Sequence, residues 1–566
     1  MAKFYIFLII LLSTFAVKSQ VNFGKPMDIP LRYAGNFGEI RPNHFHTGVD
    51  IKTNGTTGKK IFSVGDGYIS RIKIQLWGYG KVIYVTHYNG YTSVYAHMSR
   101  FNNVIDSIVK ENQYEQKSYT LDLYLLKNKI KVKKHELLGF SGNTGNSFAP
   151  HLHFEIRDNK TEYAQNPYLF NFKPVDNIPP KVFDFLAYPI DSSSLIDSLN
   201  RKKFIKLNKY FNADNIYLFD TLNVSGNIGF GVSVLDYINN SRNKFAPYSI
   251  ELFVDSVRYA YIKFNEFDFY DKNYINSYID YKEYLEHKKK IHKLFIDENS
   301  KIKIFKYSKN NGVLNFYDNN YHYLKIIIKD YNSNKAVIKG VIKSNVFYHV
   351  KQKIDTSKIY MKFFEDNLYS THDFIVNIPK SALTHSIYFD YSIDKSANIF
   401  YSGVFTIGNK YIPLFKKISI GLNTENVPKK YLDKIIIVKI NKNNRYLSYK
   451  GSLKNNFIYC RTNTFGKYAI MADTVAPVIK PLNIRDGAKF INDKFIKFKI
   501  YDNLSGITKI NGYIDNKWIC FEYDPKKSLI SYEFDKRIQK NKYHDFRLEV
   551  SDYKNNTSVF NAQIFY

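Results

Sequence analysis

Apolar and polar residues alternate with a period of two over short stretches through most of this chain, the pattern of half-buried strands. "HLHFEI" (151–156) is the clearest case. It puts His151, His153 and Glu155 on one face and Leu152, Phe154 and Ile156 on the other. "KVIYVTHYNGYTSVYAHMS" (81–99) holds two such runs around Asn89-Gly90, a hairpin signal. Pairing Tyr88 with Tyr91 predicts that His97 shares a polar and aromatic face with Ser93, Tyr95, Tyr84 and Thr86. His87 then falls on the apolar side with Ile83, Val85, Val94 and Ala96. Helical periodicity is scarce, and "DSIVKENQYEQKS" (106–118) is one of the few stretches that reads as a helix.

The strand-like runs are grouped. "NIGFGVSVLDY", "YSIELFVD" and "HYLKIIIKDYNSNKA" follow a start at "DNIPPKV" (176–182). "KFIKFKIYDNLSG", "TKINGYIDNKW" and "HDFRLEVSDYKNNTS" follow "DTVAPVI" (473–479). Each group closes on a strand running into Asp-Tyr and an Asn-containing turn, which indicates a divergent internal repeat. The expected fold class is mainly β. A signal peptide occupies 1–19, a Gly- and His-rich domain 20–174, an Ig-like β-sandwich 175–345, a further β-rich domain 346–473 and a second Ig-like β-sandwich 474–566.

Composition agrees. At 566 residues the chain exceeds a single core, and its 49 Tyr and 45 Phe favour strands. The formal charge of +31 comes with no compact Lys/Arg block or recognition helix. Lys, Asn, Ile and Tyr are enriched together, which reads as codon bias, so no nucleic-acid partner is expected. "MAKFYIFLIILLSTFAVKSQ" has a positive start, an apolar run short of a membrane span and a small-residue cleavage pattern. It predicts export, with an uncleaved anchor as the other reading. No Cys follows it for lipid attachment. Cys460 and Cys520 are the only cysteines, which excludes a Cys-rich zinc site and allows at most one disulfide.

Seven of the 14 histidines lie between His44 and His153. In "RPNHFHTGVDIKT", His46 and Asp50 stand at a loop entering a strand, and both residue types ligate zinc in sites with an open position. His151 and His153, one strand face and about 7 Å apart, can address one centre. Singly, each motif also fits a solvated polar pair.

Together the motifs resemble the LytM/lysostaphin-type (family M23) zinc metallopeptidases. The resemblance rests on three segments in order: His-x-x-x-Asp at 46–50, Tyr-Ala-His at 95–97, and "GNTGNSFAPHLHFE" at 142–155. It covers roughly residues 30–160 and implies an antiparallel β-sheet peptidase domain. It implies His46, Asp50 and His153 as ligands of one zinc ion, and His151 and His97 as the catalytic pair. In this reading His151 moves the proton, and His97 presents an N–H to the oxyanion. Non-catalytic relatives lose some of these five positions; all five are present here. Phe148-Ala149 departs from the small residues usual before Pro-His, and residues 100–136 look like an insertion that walls or covers the substrate groove.

The expected function is an exported endopeptidase cutting peptide cross-links of peptidoglycan, D-alanyl–diaminopimelate bonds before glycine bridges, in a Gram-negative-type periplasm or envelope. The rival expectation is a non-catalytic wall-binding scaffold or amidase activator carried by the β-sandwiches, with envelope association through them.

Overall fold

The computed structural model describes residues 22–210, 215–345, 359–396 and 399–566, so the segment read as a signal peptide lies outside the described residues. The chain is mainly β, as its alternation predicts. Among the described residues no helix is long and apolar enough to cross a membrane.

The amino-terminal sheet is built on β1 (Tyr33–Gly35), β2 (Val49–Lys52), β3 (Gly67–Ile74), β4 (Lys81–His87), β5 (Tyr91–Phe101) and, after α1 (Asn103–Glu115), β6 (His151–Asp158). Their antiparallel order is β1-β2-β6-β5-β4-β3. One face carries Ile51, Ile83, Val85, Tyr95, Leu152, Phe154 and Ile156 into a continuous core. The other presents Asp50, Ala96, His153 and Glu155, because His153 lies opposite both Asp50 and Ala96.

The β4–β5 hairpin differs from the predicted register by one residue. Thr86 pairs with Thr92 and Val85 with Ser93, leaving Tyr88, Asn89 and Gly90 as the turn. A one-residue slip exchanges the partners' faces. Ser93 and Tyr95 therefore face the core, where the Tyr95 hydroxyl accepts from Val64 N at 2.9 Å and from Ser93 Oγ at 2.9 Å. His87 is buried on that core side, bonded to Ser93 Oγ at 2.7 Å.

The 100–136 segment forms α1 and the strand Leu121–Tyr124, which extends the sheet beside β3. Asn102 caps α1 through its side chain, and Ile105, Val109 and Gln113, spaced four apart, turn inward.

A second set of strands holds β7 (Lys181–Pro189), β8 (Ile216–Leu235), β9 (Tyr321–Lys329) and β10 (Lys335–Ser344). The 20-residue β8 pairs with β7 and runs parallel to β10. Gly226 sits mid-strand at φ +87°, where a Cβ would meet Ser194 Oγ at 2.7 Å. Two five-stranded sheets follow around Phe374, Ile420 and Ile470. The last unit packs a four- and a five-stranded sheet around Phe498, Ile530 and Leu548. It includes β11 (Val478–Pro481), β12 (Phe495–Tyr501), β13 (Tyr543–Asp552) and β14 (Thr557–Phe565). Cys460 and Cys520 are both free thiols.

Two later units grip the first. Phe37 and Phe45 stack on Phe267 with ring centroids 4.5 and 4.7 Å apart, within the core of the β7–β10 unit. The strand Ala164–Gln165 pairs with Glu266–Phe267. From the far end of the chain, Trp518 meets Tyr114 of α1 edge-on at 5.4 Å, and Arg537 lies 4.0 Å over the same Tyr114 ring. Glu522 pairs with Lys81 at 2.9 Å.

Candidate active site

His46 lies just before β2, at the end of a loop whose conformation is imposed from both sides. Its Nδ1–H donates to the carbonyl of Asn36 at 2.7 Å. The Asn36 side chain is in turn held by Ala246 of the β7–β10 unit through two bonds of 2.9 Å. His153 on β6 donates from Nε2 to Glu155 Oε1 at 2.8 Å. These second partners set the tautomers. With both imidazoles neutral, His46 Nε2 and His153 Nδ1 are bare lone pairs.

Those two nitrogens and Asp50 Oδ1 lie 3.0 Å from one another on all three edges. Three acceptors at that spacing repel unless positive charge sits among them. A tetrahedral zinc with ligands about 2.0–2.1 Å away sets neighbouring ligand atoms about 3.3–3.4 Å apart, so a spread of a few tenths of an ångström seats the ion. The same demand for charge appears in the ionisation of His153. Burial opposes its protonation, but hydrogen bonds to Asp50 and Glu155 outweigh that and push it up to about 9. His46 goes the other way: burial, then the Arg41 charge, lowers it to about 3. Asp50 stays well below the usual carboxylate range because His46 and Arg41 overcome its burial.

His151 and His97 flank this triangle, their rings 4.8 Å apart. His151 Nδ1–H donates to Ala149 O at 2.8 Å. Its Nε2 is buried without a hydrogen-bond partner, 3.4 Å from Asp50 Oδ1. An orphaned basic nitrogen beside three converging ligand atoms fits a site that takes a metal ion and a water.

His97 reaches this face by an irregularity. Strand alternation would send it to the core with Tyr95, but β5 bulges there, with His97 at φ 60° and the register shifting between Lys81 and Ile83. Its Nδ1–H donates to Thr144 O at 2.8 Å, and burial, then His153 and His151, lower its pKa to about 3. The N–H that the family resemblance led us to expect toward the oxyanion is thus used on the loop, and the neutral ring leaves Nε2 as an acceptor.

The glycine-rich stretch before His151 packs onto residues 78–80. Gly145 has φ +69°, and a Cβ there would meet Gly78 O at 2.4 Å. The Lys526 ammonium of the last unit donates to the carbonyls of Asn143 and Ser147, the latter at 2.8 Å. Phe148, between them and His151, projects fully into solvent.

Alternation alone could not find the supporting layer. Arg41 Nη2 bonds Asp50 Oδ2 at 2.5 Å. Glu155 accepts from Thr47 Oγ1 at 2.6 Å, Tyr79 OH at 2.5 Å, and Arg157 Nε and Nη2 at 2.8 and 2.6 Å. Its buried carboxyl is held far below the usual range, since Arg157 and His153 outweigh desolvation. Arg41 stands five residues before His46 and Arg157 two after Glu155, so each motif's charged flank was the available signal. Beside the site, a cleft of about 370 Å³ is lined by Thr47, Arg71, Lys73, Tyr79, Arg157 and Lys272 among others, and by no residue of 100–136.

The peptidase family M23 model matches residues 44–114 and 102–167, the segment that carries all five site residues. Residues 44–167 form an M23 peptidase domain. The M23 family are zinc metallopeptidases, in keeping with the His46–Asp50–His153 cluster. The chain is 30% identical over 145 residues to a Haemophilus influenzae protein named "uncharacterized metalloprotease", covering 26% of this chain and 24% of that one. It is 31% identical over 114 residues to the DD-carboxypeptidase/endopeptidase Mpg of Neisseria meningitidis, covering 20% of each. The chain thus spans about a quarter or less of the length of these curated relatives. The solved catalytic domain of lysostaphin from Staphylococcus simulans is 25% identical, covering 25% of this chain and 91% of that one, with a TM-score of 0.19. Beyond the M23 domain, a Zu5-like domain model matches residues 358–473.

Proposed function

We propose that this protein is an exported, zinc-dependent endopeptidase that hydrolyses peptide cross-links of peptidoglycan. The observation that carries this is the convergence of His46 Nε2, Asp50 Oδ1 and His153 Nδ1 within 3.0 Å of one another, with the unpartnered His151 Nε2 beside them. One zinc ion held by these three would polarise the scissile carbonyl and make an attacking water more acidic.

The chain's own residues supply the proton traffic and the alignment. His151 Nε2, bare because Nδ1–H is committed to Ala149 O, takes the proton of the attacking water and returns it to the leaving amine. His97 Nε2, bare for the same reason, accepts a hydrogen bond from that water or from the substrate. Glu155, fixed by Arg157, Tyr79 and Thr47, keeps the His153 proton on Nε2 and so keeps Nδ1 free.

The relatives support this substrate class. The Neisseria meningitidis relative is named a DD-carboxypeptidase/endopeptidase and a Vibrio cholerae relative a peptidoglycan DD-endopeptidase. The cleft carries both signs, with Arg71, Lys73, Arg157 and Lys272 beside Asp268 and Asp271, and Arg71 and Lys73 pair with Asp122 and Arg157 with Glu155, so the preference for a diaminopimelate cross-link over a glycine bridge rests on the relatives. The test is digestion of cross-linked muropeptide dimers by the full chain, with chelator, and with chelator followed by zinc. Dimers left intact by the zinc-loaded protein refute the proposal.

A wall-binding role of the remaining units is the second reading, favoured by one observation: the M23 match ends at residue 167. His153→Ala separates the two, since a scaffold keeps its cellular role when the zinc ligand is lost.

A further inference from the structure

Outside the M23 site, three carboxylates meet where the peptidase domain joins the β7–β10 unit. Asp176 lies five residues before β7, Asp236 directly follows β8, and Asp330 directly follows β9. One oxygen of each lies within 4.8 Å of the others. Asp236 and Asp330 are 4% and 2% exposed. Among the described residues no Lys, Arg or His pairs with any of the three.

The cluster is incomplete in a specific way. Asp236 Oδ1 is buried with no hydrogen-bond partner, and so is the hydroxyl of Tyr168, itself 5% exposed. Both residues line one small cavity with Asp176, Tyr331 and Asn332, of about 10 Å³, room for a single ion or water. An unpartnered buried carboxylate oxygen costs several kcal/mol unless a cation or a proton compensates it.

The last unit repeats the arrangement. Asp473 lies five residues before β11, Asp502 follows β12, and Asp552 ends β13, again within 4.8 Å of one another. The supporting bonds match as well. Asn334 donates from N and Nδ2 to the two Asp330 oxygens at 2.9 and 2.6 Å, and from Nδ2 to Asp176 O at 3.2 Å. Asn556 donates to Asp552 at 2.9 and 2.6 Å, and to Asp473 O at 2.9 Å. Asp502 Oδ1 is unpartnered too. A divergent repeat has thus kept three acids and their Asn brace while its loops changed length.

We propose that Asp176, Asp236 and Asp330 form a calcium site that fixes the β7–β10 unit against the peptidase domain. The donors are oxygens alone, which selects a hard cation over zinc or copper. Their irregular placement and a cavity for few waters suit calcium's flexible coordination better than octahedral, well-hydrated magnesium. Asp176 belongs to the linker, and Tyr168 and Asn36 on the same cavity belong to the peptidase side. The ion therefore ties linker, peptidase and sheet unit together.

The test is calorimetric titration of the full chain, freed of calcium with zinc re-supplied, using calcium chloride, alongside thermal unfolding. The expected result is saturable binding with a Kd in the extracellular range of about 10⁻⁴–10⁻³ M and a Tm that rises with calcium concentration. Asp236→Asn removes one equivalent of binding and most of the Tm response, while Asp502→Asn leaves this site's equivalent intact. If Asp236→Asn does not fold, the half-exposed Asp176→Asn is read in its place, with the same loss expected. No binding by the wild-type chain up to about 10 mM calcium, ten times the weak end of that range, overturns the proposal, and protons then compensate the cluster. Wild-type stoichiometry in the variant that folds overturns it equally.

Discussion

Replacing Glu155 by Gln separates what orients the metal ligand from what merely neutralises a buried charge. Glu155 takes five hydrogen bonds, from Thr47, Tyr79, His153 and both ends of the Arg157 fork. Gln offers one acceptor oxygen and one NH₂. With its oxygen toward His153, the NH₂ faces the Arg157 donors, and a guanidinium whose side chain is 16% exposed loses its counter-charge. With the amide flipped, the NH₂ faces His153 Nε2, which must then be bare, and the proton moves to Nδ1, into the metal position. The first arrangement costs about 3–5 kcal/mol of stability for a broken buried pair. Either one weakens zinc about 10–100-fold, or ~1.4–2.7 kcal/mol, the usual effect of removing an outer partner of a ligating imidazole. Chelator competition measures the affinity, and urea unfolding of the zinc-free protein measures the stability. Adding Arg157→Met to Glu155→Gln restores part of the stability and none of the zinc affinity. If Glu155→Gln binds zinc as the wild type does, the Glu155 charge does not tune His153 as a ligand.

Three further outcomes follow. His151→Ala retains one zinc, because the ligand triangle is untouched, and loses about 10²–10⁴ in kcat on muropeptide dimers; near wild-type turnover rules His151 out as the proton carrier. Phe148→Ser raises KM severalfold at unchanged kcat, because the ring projects into solvent three residues before His151; steady-state kinetics that show a kcat effect instead place Phe148 in the chemistry. Acid stability depends on His292, whose burial, aided by the Lys290 charge, lowers its pKa to about 3. The fold keeps it neutral while the unfolded chain takes up its proton below about 6.5, so stability is full above that pH and falls progressively toward 3. Urea midpoints from pH 7 to 4 should fall more steeply for the wild type than for His292→Gln, and parallel curves refute the assignment.

Much of the site was legible because period-two alternation is a local rule. It put His151, His153 and Glu155 on one face without knowledge of the partners. The hairpin was less legible, since Asn89-Gly90 indicates a turn but not whether two or three residues make it, and one residue reverses every face. His97 reached the site through a bulge, which no alternation rule foresees. Arg41 and Arg157 showed only as charged flanks of the motifs and Tyr79 not at all, because a buried supporting group is recognised by its partner, and the partners come from different strands. The fold class followed from the same alternation, but the packing of residues 36–46 into the β7–β10 unit came from no local signal. Phe37 and Phe45 simply read as apolar.

The clasp on the active-site loops has a consequence for the order of events in folding. The Asn36 carbonyl that aims His46 is braced by Ala246, 210 residues later. The loop that aims His151 and His97 receives the Lys526 ammonium 383 and 379 residues after Asn143 and Ser147. Contacts of such separation form last, since closing long loops is entropically slow. A chain emerging amino-terminus first therefore carries the His46 and His151 motifs long before it carries the residues that brace their loops. The full set of braces is in place only when the final unit has been made and has folded back onto residues 143–147.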